Sequence, residues 1–339
     1  MSENQEPIRV VVAADFSDEI IESLREISPR LQIARHFPDV TDDVMAEAEI
    51  LYTIRHFPQP EAAPNLRWVQ LHFAGVERTL RHTIVQQDNV TVTTGSGIHA
   101  VQMAEYCLGM MLAFMYRIPL MLEYQAKSEW PENQYDIFAP HGLRGLTLGI
   151  VGYGSIGREL ARMADALGMV VLATKRDLMR TTELDGYTEP DTGDPTGEIP
   201  ERIYPPEAVG SMAQVCDFLV VTVPYTDDTH AIINADVLSR MPSHAVLINV
   251  ARGGVVDEQA LIEKLKAKQI RGAALDVFVE EPLPASSPLW KLPNVIISPH
   301  VSGNSSRYNE KAAALFAENL RRYVEQRPLL NRIDHERGY

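Results

Sequence analysis

Three glycines, Gly152, Gly154 and Gly157, stand in the spacing G-x-G-x-x-G that can hold a phosphate. Gly152 permits a tight turn, Gly154 lets a pyrophosphate approach the backbone, and Gly157 lets the next helix pack closely on the preceding strand. Other residues could bind an anion or move a proton. Arg252, in Ile248-Asn249-Val250-Ala251-Arg252-Gly253-Gly254, is a cation beside two glycines that can fork onto a carboxylate or a carbonyl oxygen. Glu281 lies in Asp276-Val277-Phe278-Val279-Glu280-Glu281-Pro282, and His300 in Ser298-Pro299-His300-Val301-Ser302-Gly303. Taken singly, each has an ordinary reading: a surface arginine, a solvated acidic turn, a structural histidine.

Their placement on elements sets them apart. Leu146 to Val151 is a short apolar run of the kind that forms a buried parallel strand. Ile156, Leu160, Met163, Ala164 and Leu167 then recur on one helical face, and Gly168 stands where a C-cap glycine belongs. A glycine motif between a strand and a helix is the context that nucleotide binding requires. Further strand candidates are Ile8–Ala14, Leu31–Arg35, Ile50–Thr53, Val69–Phe73, Val90–Thr94, Val170–Thr174, Phe218–Val223, Val246–Val250, Ala273–Val277 and Val295–Ser298. Helices are expected at Asp18–Ile27 (capped by Ser17 or Asp18), His99–Arg117, Asp257–Lys268 and Arg307–Glu325. This alternation predicts an α/β protein with parallel sheets, whose N-terminal 100 or so residues are an α/β unit of their own. In such sheets ligands sit beyond the carboxyl ends of the strands. Lys175 with Arg176, Arg252, Asp276 with Glu281, and His300 each follow a strand candidate.

Three stretches read less clearly. His99–Arg117 is apolar around most of its circumference and should be buried, in part against a second subunit, with Pro119 ending or kinking it. Glu123–Pro140 reads as an irregular aromatic arm. Asp177–Pro206 is acidic and turn-rich, and reads as a surface excursion and not a domain boundary.

With 339 residues, 45% of them hydrophobic and 23% charged, the composition is that of a soluble globular protein of about two domains. A net charge of −15 argues against nucleic acid and anionic membranes as partners. The opening residues MSENQEP lack the basic and apolar regions of a secretory signal, and Leu108–Leu122 is too short and too broken to span a bilayer. Cys107 and Cys216, in apolar surroundings, read as core thiols in a reducing compartment. The expected location is the cytoplasm.

The runs GIVGYGSIG, INVARGGVVDE, ALDVFVEEPLP and ISPHVSG, in this order and at these separations, resemble the D-isomer-specific 2-hydroxyacid dehydrogenase family. His72-Phe73-Ala74-Gly75-Val76 and Ile98–Glu105 match it more loosely. The resemblance implies a Rossmann nucleotide-binding domain (99–300) inserted into a flavodoxin-like α/β substrate domain (1–98, with a return helix in 301–339). It implies that Arg252 binds the substrate carboxylate and carbonyl, that His300 exchanges a proton with the carbonyl oxygen, and that Glu281 hydrogen-bonds His300. An adjacent carboxylate favours the imidazolium and keeps the acid form available. Asp276 would orient the nicotinamide carboxamide, and the Ala74 and Gly75 N–H groups would hold the substrate carboxylate. Cofactor contacts are implied at Gly152, Tyr153, Gly154, Ser155, Ile156, Gly157, Val223, Pro224, Val250, Ala251, Arg252, Asp276, His300 and Gly303. Family members are typically homodimers joined through the nucleotide domain.

The sequence departs from the family at the end of the second strand of that domain, where Lys175 takes the place of the acid that binds a ribose 2′-OH. A Lys175–Arg176 pair would instead bind a 2′-phosphate, so NADP(H) is expected to be preferred, with NAD(H) still possible. His99 replaces a frequent Asn and either faces the cleft or only begins the helix; Glu77 replaces a frequent Asp. Phe73 would shape the side-chain pocket, and Glu281 in place of Gln argues against formate as substrate. The implied activity is reversible reduction of a 2-oxo acid to the (R)-2-hydroxy acid, with glyoxylate or hydroxypyruvate first and a bulkier acid second. A nucleotide-sensing, corepressor-like protein with little turnover is the alternative on the same fold.

Overall fold

Short apolar runs become parallel strands here, and amphipathic segments become the helices that cover them. The computed structural model describes residues 6–76, 79–179 and 186–334; Glu77 lies outside the described residues. In chain order the elements are β1 (Ile8–Ala13), α1 (Asp18–Arg25), β2 (Leu31–Arg35), α2 (Asp42–Ala46), β3 (Ile50–Thr53), β4 (Trp68–Leu71), β5 (Thr91–Thr93), α3 (Ala100–Met115), α4 (Ile118–Lys127), α5 (Gln134–Ile137), β6 (Thr147–Val151), α6 (Ser155–Ala166), β7 (Val170–Thr174), β8 (Arg202–Tyr204), α7 (Val209–Ala213), β9 (Phe218–Val221), α8 (Ala235–Arg240), β10 (Val246–Asn249), α9 (Glu258–Lys266), β11 (Gly272–Leu275), β12 (Val295–Ile297) and α10 (Tyr308–Val324). The chain divides into two compact units: unit 1 is Met1–Ile98, Leu184–Glu189 and Ser305–Tyr339, and unit 2 is His99–Glu183 and Pro190–Asn304.

Unit 1 is built on a parallel five-stranded sheet in the order β2-β1-β3-β4-β5, the flavodoxin-like winding. Alternate residues of β1 feed opposite faces. Ile8, Val10 and Val12 join Tyr52, Trp68, Phe316 and Leu320 on one side, and Val11 and Ala13 join Leu51, Val69 and Leu71 on the other. α10 therefore supplies part of the first core. It also brings the buried Asn319, whose Nδ2 donates to Gln70 Oε1 at 3.2 Å and whose Oδ1 accepts from the Leu330 N–H at 2.8 Å. Ser17 is the cap of α1, its hydroxyl accepting from the Ile20 N–H.

Unit 2 carries a parallel seven-stranded sheet in the order β12-β11-β10-β9-β6-β7-β8, which is the Rossmann winding extended by one strand. In β9, Phe218 and Val220 enter one core while Leu219 and Val221 enter the other, so helices cover both faces. α3 packs against α6 in a core that includes Ala104, Cys107, Met111 and Met115. It is not buried all round within the chain: Leu112 and Tyr116 are exposed. Arg117, in the left-handed region at φ 54°, ends it. Pro119 then falls in the first turn of α4, where a missing N–H costs nothing, and α4 takes in the start of the expected Glu123–Pro140 arm, as far as Lys127, as helix.

The described part of the Asp177–Pro206 tract lies mostly at the surface but is pinned by specific contacts; residues 180–185 of it lie outside the described residues. Residues 186–189 belong to unit 1, where the Tyr187 N–H donates to Asn331 Oδ1 at 2.8 Å and Lys311 Nζ pairs with Glu189 at 2.7 Å. The chain thus changes unit inside the tract. The next residues wind onto α6 around the buried Asp194. Its carboxylate accepts from the Tyr153 hydroxyl at 2.6 Å and from the N–H groups of Gly197, Glu198 and Ile199. Burial pushes that carboxyl up, but these donors hold it below the usual carboxylate value. β8 then closes the tract as the edge strand.

Candidate active site

Because the sheet of unit 2 is parallel throughout, the residues after β6, β7, β9, β10, β11 and β12 share one edge. β6 runs into the glycine loop. Gly152 has φ +106°, and a methyl group there would meet Val223 Cγ1 at 2.8 Å. A methyl at Gly157 would stand 2.4 Å from the Gly152 carbonyl oxygen, whereas Gly154 is exposed with nothing within 4 Å. No side chain caps α6 at Gly154, so the first-turn N–H groups of Ser155 and Ile156 remain for a ligand. A tight turn, open space at the middle glycine and an uncapped helix together fit a dinucleotide pyrophosphate. Tyr153 turns its side chain inward. It is buried, its hydroxyl is on Asp194, its ring lies beneath Arg158, and its N–H donates to the Thr174 carbonyl at 2.9 Å.

At the end of β7 the Lys175 N–H donates to the Tyr204 carbonyl, and Arg176 Nη2 lies 3.6 Å from Asp228 Oδ2. After β9, Val223 is half-buried against Gly152 and Pro224 is exposed. After β10, Val250 and Ala251 are buried. Asn249 shapes this turn: its Oδ1 accepts from the Ala251 N–H at 3.1 Å and its Nδ2 donates to the Arg252 carbonyl at 3.0 Å. Arg252 is half-buried, with Nη1 donating to the Ala251 carbonyl at 2.7 Å. Gly253 admits no side chain, since a methyl would stand 1.9 Å from the Phe278 carbonyl carbon.

Glu281 and His300 come together. Glu281 Oε2 lies 2.8 Å from His300 Nδ1, and Glu281 Oε1 accepts from the Phe278 N–H at 3.0 Å. The second contact fixes the carboxylate, and the first assigns the proton of Nδ1 to Glu281, leaving Nε2 for chemistry. His300 sits in the left-handed region at φ 53°, a costly conformation for a residue with a Cβ. Asp276 holds it there. The His300 N–H donates to the Asp276 carbonyl at 2.9 Å, the Val301 N–H to Oδ1 at 2.9 Å and the Ser302 N–H to Oδ2 at 2.8 Å. Asp276 is 0% exposed, so its carboxylate is an anchor for the histidine turn, a role the sequence did not show. Gly303 lies beside His99, whose Cδ2 a methyl there would meet at 3.1 Å; His99 is the residue that begins α3.

In unit 1, Ala74 and Gly75 are half-buried after β4, behind His72 and Phe73. His72 Nδ1 is 2.6 Å from the Tyr52 hydroxyl, and its ring packs on Tyr308 at 4.7 Å. Burial lowers the His72 pKa from 6.5 to about 4, so it is neutral and Nδ1 accepts from Tyr52. The unfolded chain takes up this proton first. Stability from His72 is thus present above pH 6.5 and lost as pH falls toward 4, by on the order of 3 kcal/mol. Thermal unfolding at about pH 7.5 and about pH 4.5 checks this. Wild type should lose more stability than His72→Asn; equal losses would place the titrating group elsewhere.

The fold and the glycine loop define a dinucleotide-binding α/β protein. The family described as D-isomer specific 2-hydroxyacid dehydrogenase, NAD binding domain, matches residues 108–302. The chain is 33% identical over 237 residues to the (S)-sulfolactate dehydrogenase of Chromohalobacter salexigens, covering 70% of this chain and 71% of that one. It is 32% identical over 261 residues to the glyoxylate reductase of Korarchaeum cryptofilum, covering 77% and 74%. A crystal structure of a D-isomer specific 2-hydroxyacid dehydrogenase from Xanthobacter autotrophicus Py2, in complex with NADPH and MES, superposes with a TM-score of 0.78 at 28% identity, over 99% of this chain and 100% of that one. The chain belongs to the D-isomer specific 2-hydroxyacid dehydrogenase family, and family and neighbours alike support nicotinamide-dependent dehydrogenase or reductase activity on a 2-hydroxy or 2-oxo acid. Among the described residues no single helix is long and apolar enough to cross a membrane; α3 and α4 pass that test only as a pair bent by 61°.

Proposed function

We propose that the protein is a reductase of small 2-oxo acids that yields the (R)-2-hydroxy acid reversibly and prefers NADPH over NADH. The observation that carries this reading is the Glu281–His300 pair, a carboxylate-oriented imidazole on the same sheet edge as the glycine loop. The bound nicotinamide supplies the hydride for the carbonyl carbon. His300 Nε2 gives its proton to the carbonyl oxygen, and Glu281 steadies the ring and balances its charge. Arg252 holds the substrate carboxylate and polarises the carbonyl in this reading. The turns at Val223–Pro224 and Val250–Ala251, with Gly303, line the nucleotide, and the last lone pair of Asp276 is what a carboxamide could use.

Lys175 and Arg176 are assigned to the 2′-phosphate, for which Arg176 would exchange its 3.6 Å pairing with Asp228. Glyoxylate and hydroxypyruvate are the first substrates to test. A second copy of the chain is the proposed partner, because Ile118, Met121 and Leu122 of α4 are exposed next to Leu112 and Tyr116. Burial raises the Cys216 thiol to about 12, which leaves it inert and suits a reducing cytoplasm.

Purified protein assayed with NADPH and with NADH against glyoxylate, hydroxypyruvate, pyruvate and phenylpyruvate tests the reading. Turnover is expected with a small 2-oxo acid, with kcat/KM roughly tenfold or more in favour of NADPH, as a charge-assisted contact of about 1.5–3 kcal/mol provides. Equal or better kcat/KM with NADH would remove Lys175 and Arg176 from the phosphate site. Tight cofactor binding without turnover on any acid would favour the nucleotide-sensing reading.

A further inference from the structure

The Asp276 carboxylate that anchors the His300 turn has a third donor, and that donor leads to α3. Ser298 Oγ lies 2.5 Å from Asp276 Oδ1, and the Tyr106 hydroxyl lies 2.6 Å from Ser298 Oγ. The hydrogens can be placed by elimination. An ionised carboxylate only accepts, and a serine hydroxyl has one hydrogen to give. Ser298 therefore donates to Asp276, and Tyr106 must donate to Ser298. Burial pushes the Tyr106 phenol up to about 12, so it keeps this proton through the neutral range. Ser298 and His300 are two residues apart, and Pro299 between them stiffens the link.

We infer that Tyr106 is a positioning residue for the acid–base histidine: through Ser298 it fixes the buried Asp276 carboxylate, which in turn holds His300 in its left-handed turn against Glu281. The inference rests on His300 being the proton donor in the proposed reaction. The Val301 and Ser302 N–H groups grip the Asp276 carboxylate and the His300 N–H grips the Asp276 carbonyl, so a tilt of the carboxylate is passed to the imidazole through the backbone of the turn. The chain from Tyr106 to His300 is one connected set of charge-assisted and neutral hydrogen bonds, which reinforce one another where water is excluded. The glycine loop has no member in it, so the Tyr106 contact is separable from pyrophosphate binding.

The test compares Tyr106→Phe, Ser298→Ala, Ser298→Thr and their double variant Tyr106→Phe/Ser298→Ala, with His300→Ala as reference. The readouts are kcat for 2-oxo acid reduction, KM for the acid, NADPH Kd by fluorescence, and Tm. Tyr106→Phe is expected to lower kcat about 5-fold and Ser298→Ala about 20-fold or more, with KM and Kd within about 2-fold of wild type. Ser298→Thr, which keeps the hydroxyl, should restore most of the rate. The double variant should be no slower than Ser298→Ala, since the two side chains act through one bond. Wild-type kcat in Tyr106→Phe, fully additive losses in the double variant, or a fall in kcat that merely tracks lower Tm and weaker NADPH binding would each overturn the inference. Undiminished turnover in His300→Ala would instead overturn the acid–base reading on which it rests.

Discussion

His300→Ala is expected to lower the rate of 2-oxo acid reduction by about 10³-fold while leaving NADPH affinity within about 3-fold of wild type. The size follows from what is removed. A positioned acid contributes on the order of 10²–10⁴-fold, and water cannot replace an imidazole whose Nδ1 is held at 2.8 Å by Glu281. The cofactor should be little affected, because the Gly152–Gly157 loop and the N-terminus of α6 make their contacts through their own backbone. Loss of NADPH binding in the variant would mean that the left-handed turn at His300 is needed for the nucleotide edge of unit 2, and an unchanged rate would mean that the proton comes from elsewhere. Glu281→Gln is the companion variant: it keeps the oxygen that accepts from Phe278 but no longer balances the imidazolium.

The second large effect is expected at Arg252. Arg252→Lys should lower kcat/KM for the 2-oxo acid by about 10²–10³-fold, measured with NADPH saturating. Lysine keeps the charge, yet an ammonium cannot present two parallel N–H groups to a carboxylate and a carbonyl oxygen. It also loses the guanidinium contact with the Ala251 carbonyl at 2.7 Å, which sets the direction of the side chain. The turn itself should survive, because Asn249 still accepts from the Ala251 N–H and donates to the Arg252 carbonyl. Near-normal kcat/KM in the lysine variant would take Arg252 out of the substrate site.

The elements that could be read from the sequence were those whose signal is local. β2, β3 and β7 end where their apolar runs end, and α6 begins and stops at glycines whose tasks are legible one by one. α4 was hidden because Pro119 reads as a helix breaker unless the left-handed Arg117 just before it is known. β8 was hidden because three residues between prolines show no period. Within the site, Arg252, Glu281 and His300 owed their roles to the family resemblance, and composition or spacing alone would not have joined Glu281 to His300. Tyr106 and Ser298 are 192 residues apart and meet only when α3 packs in unit 2, so no window along the chain contains the pair. The same holds for Arg176 with Asp228, and for Tyr153, whose side chain turned inward to Asp194.

The division of the chain has a consequence for the order in which the protein can be made. The five strands of unit 1 are synthesised first, but one face of their sheet is covered by Phe316 and Leu320, and Gln70 receives its donor from Asn319. All three lie on α10, which is translated only after the whole of unit 2. Unit 2 is therefore free to close on the ribosome while its older neighbour waits with Trp68 and Tyr52 still lacking Phe316. During synthesis the nascent N-terminal sheet is the natural client for a holding chaperone, and chains stalled before residue 308 should aggregate through it although their nucleotide domain is already native.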